Sequence, residues 1–252
     1  MIVLDQVSYQ VGRLPILKNI CATIEKGGIT ALVGANGAGK STLLSLMARL
    51  TPLKAGRISF DGINLSKTPN SEIAKKLAIM RQDNSITSRI TVRELLMFGR
   101  FPYHKGNPGQ EDHEIVEQTL KQFNLAELAS RFVADLSGGQ RQRALVAMVF
   151  CQSTDYLLLD EPLNNLDMFH ARHLMGLLRQ IADEYKRTII IVLHDINYAS
   201  AYADSIMGMK QGELVLHGKP NDVITPQNLQ RLFGVDAKIV PVQNHKLVMH
   251  YV

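Results

Sequence analysis

A chain of 252 residues with an apolar share of 46% suits one large domain, or a core carrying an insertion. Its net charge of +5 is not gathered in one run, and with no tryptophan and 6% aromatic residues it lacks the stacking platform of a nucleic-acid binder. The longest apolar runs, Ala144 to Cys151 and Ile189 to Leu193, fall far short of the ~20 residues a membrane-spanning helix needs.

Residues 1–33 alternate apolar and polar positions and predict two or three strands. The last, Thr30-Ala31-Leu32-Val33, feeds a glycine-rich loop. Ser41 to Leu50 reads as a helix with Leu43, Leu44, Leu46 and Met47 on its buried side. Gly56 to Phe60 is a further strand, closed by an Asp61-Gly62 turn. From about Asp83 the character becomes helical. Thr91 and Glu94 have capping-box spacing and open an amphipathic helix through Phe98. Phe101 to Gln110 holds two prolines and two glycines and reads as a loop. Glu111 to Phe123 and Ala126 to Arg131 are helical. Ser137 and Gln140 again have capping-box spacing, with a helix continuing through Cys151.

An apolar strand then runs over 156–160, followed by a helix near Phe169 to Tyr185, a buried strand Thr188 to Leu193 and a helix after Asp195. Leu214 to His217 is a strand. Thr225-Pro226 starts a last helix, with threonine as N-cap. Lys238 to Val242 and Lys246 to Tyr251 form a hairpin around Asn244-His245. The fold class is therefore α/β, with a core of about 1–82 and 154–252 and a helical insertion of about 83–153. Cys21 and Cys151 lie far apart in apolar surroundings and read as core residues of a reduced compartment. The N-terminal segment is a strand pattern and lacks the layout of a signal peptide, so the expected location is cytoplasmic.

The chemistry starts at Gly34-Ala35-Asn36-Gly37-Ala38-Gly39-Lys40-Ser41, which fits the phosphate-loop pattern G-x4-G-K-[ST], with Thr42 next in the helix. Glycines let backbone N–H groups turn inward around phosphates, and the following helix N-terminus adds a favourable dipole. Lys40 would reach the β- and γ-phosphates of a nucleotide, and the Ser41 hydroxyl would ligate Mg2+. Asp160 and Glu161 end an apolar strand. Asp160 is placed by the magnesium and Glu161 by the water that attacks the γ-phosphate, as general base.

Between these motifs lies Leu136-Ser137-Gly138-Gly139-Gln140. That order resembles the ATP-binding-cassette family over nearly the whole chain. The resemblance implies a P-loop ATPase core with an N-terminal antiparallel β region and an inserted helical subdomain. It implies that His194, 33 residues after Glu161, contacts the γ-phosphate. It implies that Gln82 ligates magnesium and reports on the nucleotide, and that Tyr9, 25 residues before Gly34, stacks on adenine. Ser137, Gly138, Gly139 and Gln140 would serve the ATP of the opposite subunit in a head-to-tail homodimer, and Asn164-Asn165-Leu166-Asp167 would cross the dimer seam. Leu163 departs from the family's usual threonine.

The segment Val92 to His104 is similar to a stretch in ATPases of ferric siderophore, haem and cobalamin importers, as is His194-Asp195-Ile196-Asn197-Tyr198-Ala199. The implied role is a Mg2+-dependent ATPase that drives import of an iron chelate, a ferric siderophore first and haem or cobalamin as alternatives. It would sit at the cytoplasmic face of the plasma membrane on integral-membrane permease subunits. A substrate-binding protein would be met only through the permease. Arg93 and Arg100 are candidate docking charges. A cassette ATPase acting on DNA or ribosomes is the reading from another class. It fits poorly with one cassette and no long coiled coil, so no nucleic-acid partner is expected. A binding-only cassette conflicts with Glu161 and His194.

Overall fold

The computed structural model describes residues 1–82, 89–164 and 166–249. The boundary set at Asp83, the loop residue Asn165 and the end of the tail at Tyr251 lie outside the described residues.

The chain opens with strands β1 (Ile2–Val11), β2 (Leu14–Ile24) and β3 (Gly28–Val33), then helix α1 (Lys40–Met47). Strands β4 (Ala55–Phe60) and β5 (Ile63–Asn64) follow, then α2 (Asn70–Lys76) and β6 (Leu77–Met80). Helices α3 (Val92–Gly99), α4 (Phe101–His104), α5 (Gln110–Gln122) and α6 (Gly138–Cys151) come next. The core returns with β7 (Tyr156–Leu159), α7 (Met168–Glu184), β8 (Thr188–Val192), α8 (Ile196–Tyr202), β9 (Ser205–Lys210) and β10 (Glu213–Gly218). Helices α9 (Pro220–Val223) and α10 (Pro226–Phe233) and the hairpin β11 (Lys238–Val242) and β12 (His245–Met249) complete it.

Among the described residues, β2-β1-β4-β5 form an antiparallel sheet and β10-β9-β3-β8-β7-β6 a second, parallel except at β10. Parallel strands need both faces covered, and the side chains divide accordingly. Ile29, Ala31, Val33, Ile189, Ile191, Leu157 and Leu159 face the core built with the helices. Leu32, Ile190, Val192, Tyr156 and Leu158 face the other core, shared with α1 and the antiparallel sheet. This sheet brings the C-terminal ends of β3, β7 and β8 together, the edge where parallel sheets present ligand sites.

Both capping boxes form. Thr91 Oγ1 accepts from the Glu94 N–H while Glu94 Oε2 accepts from the Thr91 N–H. Ser137 Oγ accepts from the Gln140 N–H while Gln140 Oε1 accepts from the Ser137 N–H. Helix α3 packs closely on α6. A Cβ added at Gly99 would lie 2.2 Å from the Met148 carbonyl oxygen.

Several expectations change. Phe101 to His104 is a helical turn and not loop, because Pro102 sits in the first turn, where its missing N–H costs nothing. Ala126 to Leu128 is a short 3-10 turn rather than a longer helix. Cys21 is exposed on β2, and only Cys151 is core. Arg100 is not a docking charge. It is 3% exposed and donates to Asp112, the Cys151 carbonyl and the Ser153 hydroxyl. Arg93 remains half-exposed and pairs with Glu117.

The C-terminal hairpin docks on α8. Asn197 accepts the Val248 N–H at 2.7 Å and donates to the Val248 carbonyl at 3.2 Å. Asn197 of the His194–Ala199 segment is therefore a packing anchor for the tail. No helix of the described residues is long and apolar enough to cross a membrane.

Candidate functional site

The cleft forms where β3 hands the chain to α1. Gly34 has φ 149°, and a Cβ there would lie 2.1 Å from the Met209 carbonyl oxygen. Gly39, the residue before α1, has φ 100°. Neither position accepts another residue without strain. The resulting loop lines a cleft of about 460 Å³ with Asn36, Gly37, Ala38, Gly39, Lys40, Ser41 and Thr42. Gln82, Glu161, His194 and Ile16 close its remaining sides. Gly34 and Ala35 lie just behind, and their carbonyls accept from Lys40 Nζ at 2.9 and 3.0 Å.

Lys40 is 5% exposed. Burial pulls its pKa below the usual lysine value, against the carboxylates of Glu161 and Asp160, which favour the charged form. Ser41 Oγ donates to Asp160 Oδ1 at 3.0 Å. Burial raises the Asp160 pKa, as does the neighbouring Glu161 carboxylate, while the Ser41 hydrogen bond, Lys40 and His194 oppose the rise. A lysine ammonium and an oxygen-donor pair thus face one cleft.

Glu161 is 8% exposed and takes φ 51°, in the left-handed region. Three side chains converge on its carboxylate. Gln82 Nε2 donates to Oε2 at 2.7 Å, Asn164 Nδ2 donates to Oε2 at 2.6 Å, and His194 Nε2 lies 2.7 Å from Oε1. His194 stands just beyond β8, and Gln82 follows β6 by two positions. Two parallel strands flanking β7 therefore deliver them to the acid at its end.

The remaining expected site residues stand outside this cleft. Tyr9 opposes Leu17 across the β1–β2 ladder, so the two share a face. Ile16, unpaired in the irregular stretch of β2 between Pro15 and Leu17, lines the phosphate-loop cleft. The Tyr9 ring instead borders a separate groove with Leu17, Lys18 and Lys54, the Lys54 ammonium lying 5.5 Å from its centroid. Ser137, Gly138, Gly139 and Gln140 open α6 away from the cleft, with Gly139 against Leu166 and His170. Asp167 caps α7, accepting from the His170 N–H at 2.8 Å. That hydrogen bond, with the His170 ring, holds the Asp167 pKa below the usual carboxylate range.

Two contributors were not anticipated. Ile16 supplies an apolar wall. Asn164, expected only in the loop at the dimer seam, reaches Glu161 across the Pro162-Leu163 turn; the signal available for that contact was its place three residues after Glu161.

Comparison with known proteins places the chain in a family. The family model described as ABC transporter matches residues 17–164. The chain is 42% identical over 251 residues to the petrobactin import ATP-binding protein YclP of Bacillus subtilis, covering 100% of both chains. It is 36% identical over 249 residues to the hemin import ATP-binding protein HmuV of Shewanella denitrificans, covering 97% of each. Among solved structures, it is similar to the dimeric post-hydrolysis state of the ATP-binding cassette MJ0796 bound to ADP and Pi. There the TM-score is 0.77 at 28% identity, covering 87% of this chain and 98% of that one.

Proposed function

The chain belongs to the ABC transporter family, and from that premise we propose that it is the ATP-hydrolysing subunit of a bacterial importer that powers uptake of a ferric siderophore through a membrane permease. The observation that carries the enzymatic half is the convergence of Lys40, Ser41, Glu161 and His194 on the phosphate-loop cleft, with Asp160 joined to it through Ser41 Oγ. End-to-end similarity to a petrobactin import protein supports the cargo class. The similarity to a hemin import protein keeps haem as the second reading. The cargo itself would be bound by other chains.

In this reading the phosphate-loop amides and Lys40 bind the β- and γ-phosphates of ATP. Lys40 gives up its two backbone carbonyls for the phosphate oxygens, a stronger, charge-assisted partnership. Ser41 Oγ, Asp160 and the Gln82 side-chain oxygen would hold Mg2+. The donors fit: all are hard oxygens, and among the described residues no His/Cys/Asp/Glu cluster forms an all-protein cage. Such a site is completed by substrate phosphates, and the ion when bound neutralises charge on the transferring group. Glu161 accepts the proton of the attacking water, and His194 turns from Glu161 toward the γ-phosphate.

The residues outside the cleft then have a role in a second copy. Ser137 and the amides of Gly138 and Gly139 open α6, whose N-terminus suits an anion, with Gln140 fixing the turn. In an ATP-bound head-to-tail pair this turn would close on the partner's γ-phosphate, and Asp167 would sit at the seam. Similarity to a cassette solved as a dimer supports that arrangement. The helical block α3–α6 would meet the permease at the cytoplasmic face of the membrane. A substrate-binding protein would act from the other side.

The test is uptake of radiolabelled ferric siderophores by iron-starved cells carrying wild type, Glu161→Gln or no copy of the gene. Loss of uptake for one chelate in both defective strains is the expected result. Undiminished uptake across a broad chelate panel, in a strain without a redundant ATPase, would remove the siderophore reading and move the test to haem.

A further inference from the structure

Three side chains occupy most of the roughly four lone-pair sites of the Glu161 carboxylate and leave little of it open to a water. The two carboxylate oxygens meet Gln82, Asn164 and His194. These partners differ in how they are tethered. Gln82 lies 79 residues away in sequence and His194 arrives from beyond β8. Both are exposed at the cleft and both are assigned to the nucleotide site: His194 leaves Oε1 for the γ-phosphate, and Gln82 must swing its carboxamide to bring its oxygen to the magnesium, so its hold on Oε2 is not fixed.

Asn164 cannot leave in the same way. Its backbone N–H donates to the Glu161 carbonyl at 3.2 Å, closing a turn over Pro162 and Leu163. Its side-chain Nδ2 donates to Glu161 Oε2 at 2.6 Å. Proline at the second position of such a turn presets φ and stiffens it. Glu161 itself sits at φ 51°, a conformation a non-glycine residue holds only when its surroundings enforce it.

We propose that Asn164 is the positioning residue of the catalytic carboxylate, the donor that stays on Glu161 Oε2 when Gln82 and His194 turn to the nucleotide and leave Oε1 open to the water. This rests on the reading of Glu161 as general base. The step balances with no further reactant. The water oxygen bonds to the γ-phosphorus, the bond from that phosphorus to the β–γ bridging oxygen breaks with its electron pair going to ADP, and the water proton passes to Glu161 Oε1. Asn164 touches neither phosphate nor water; it fixes which oxygen of Glu161 is free and where it points.

The test is a double-mutant cycle in the full chain, read as ATPase kcat and KM. Asn164→Ala is expected to lower kcat about tenfold to a hundredfold, the worth of one hydrogen bond to a charged group, with KM for ATP unchanged. Asn164→Asp, which keeps the shape and removes the donor, should lose at least as much. It also covers the case in which the alanine variant folds poorly. Asn164→Ser, which keeps a donor, should recover part of the loss. In the Glu161→Gln background, Asn164→Ala should cost nothing further, because its partner carboxylate is already gone. The same fold-loss in both backgrounds, an unchanged kcat, or an effect confined to KM would overturn the proposal while leaving Glu161 as the base. A Glu161→Gln enzyme that hydrolyses ATP at the wild-type rate would instead remove the general-base reading, and this inference with it.

Discussion

Arg100 Nε donates to Asp112 Oδ1 at 3.0 Å, and both side chains are buried between α3, α5 and the end of α6. The same guanidinium donates to the Cys151 carbonyl and the Ser153 hydroxyl, tying three helices to one ion. Arg100→Ala should therefore destabilise the fold by about 3–5 kcal/mol, the cost of leaving a buried charge unpaired. Urea unfolding checks this. A change within about 0.5 kcal/mol, the range of an ordinary surface substitution, would contradict the structural role.

The acid side of that pair sets a pH dependence. Burial pushes the Asp112 carboxyl up, but the Gly109 N–H and Arg100 outweigh it and hold its pKa below the usual value. A depressed folded pKa contributes stability that is complete above the unfolded value of about 3.9 and disappears as pH falls through the folded value. The stability difference between wild type and Asp112→Asn should be constant from pH 7 to about 5 and shrink below about 4. Unfolding curves across that range measure it. A difference that grows on acidification would have the wrong sign.

Gly99 sits where α3 meets α6, its position for a Cβ 2.2 Å from the Met148 carbonyl oxygen. Backbone cannot yield as a side chain does, so Gly99→Ala should cost about 1–3 kcal/mol through displacement of α3. The roughly 1 kcal/mol by which alanine is ordinarily the better helix former offsets part of that cost, leaving a net loss of up to about 2 kcal/mol. Thermal unfolding of the variant decides the sign; a stabilised protein would mean that the helices are further apart.

The two thiols should behave differently. Cys21 is exposed, while burial pushes the Cys151 thiol up to about 11. A native chain at pH 8 should take one equivalent of a maleimide, and Cys21→Ser should take none until denatured. Rapid labelling of Cys151 in the folded variant would contradict its place in the core.

Features set by neighbours in sequence were legible before the structure. The two capping boxes at Thr91 and Ser137, the buried face of α1 and the phosphate loop all depend on spacings of three or four residues. Features set by packing were not. Arg100 reads as a surface charge because its partners are 12, 51 and 53 residues distant. The strand Ser205–Lys210 was missed because its apolar run is short and interrupted by Gly208, although β3 covers it on one side. Helix α2 and strand β6 were missed as well. Tyr9 was placed by distance along the chain; its pairing with Leu17 and the irregular register around it belong to the β1–β2 ladder, which spacing alone does not show. The segment Val92 to His104, read as a mark of cargo class, owes Gly99 and Arg100 to the packing of α3 on α5 and α6.

The central claim is that this cleft hydrolyses ATP with Glu161 as base, and ATP turnover by Glu161→Gln tests it most directly. Filter binding would follow retained nucleotide alongside phosphate release, with sedimentation reporting the oligomer. The account predicts undiminished ATP binding, hydrolysis reduced by roughly 10²–10⁴, the usual worth of general base catalysis, and an ATP-bound dimer that persists. Phosphate release within a few-fold of wild type, from protein that binds ATP normally, would contradict it.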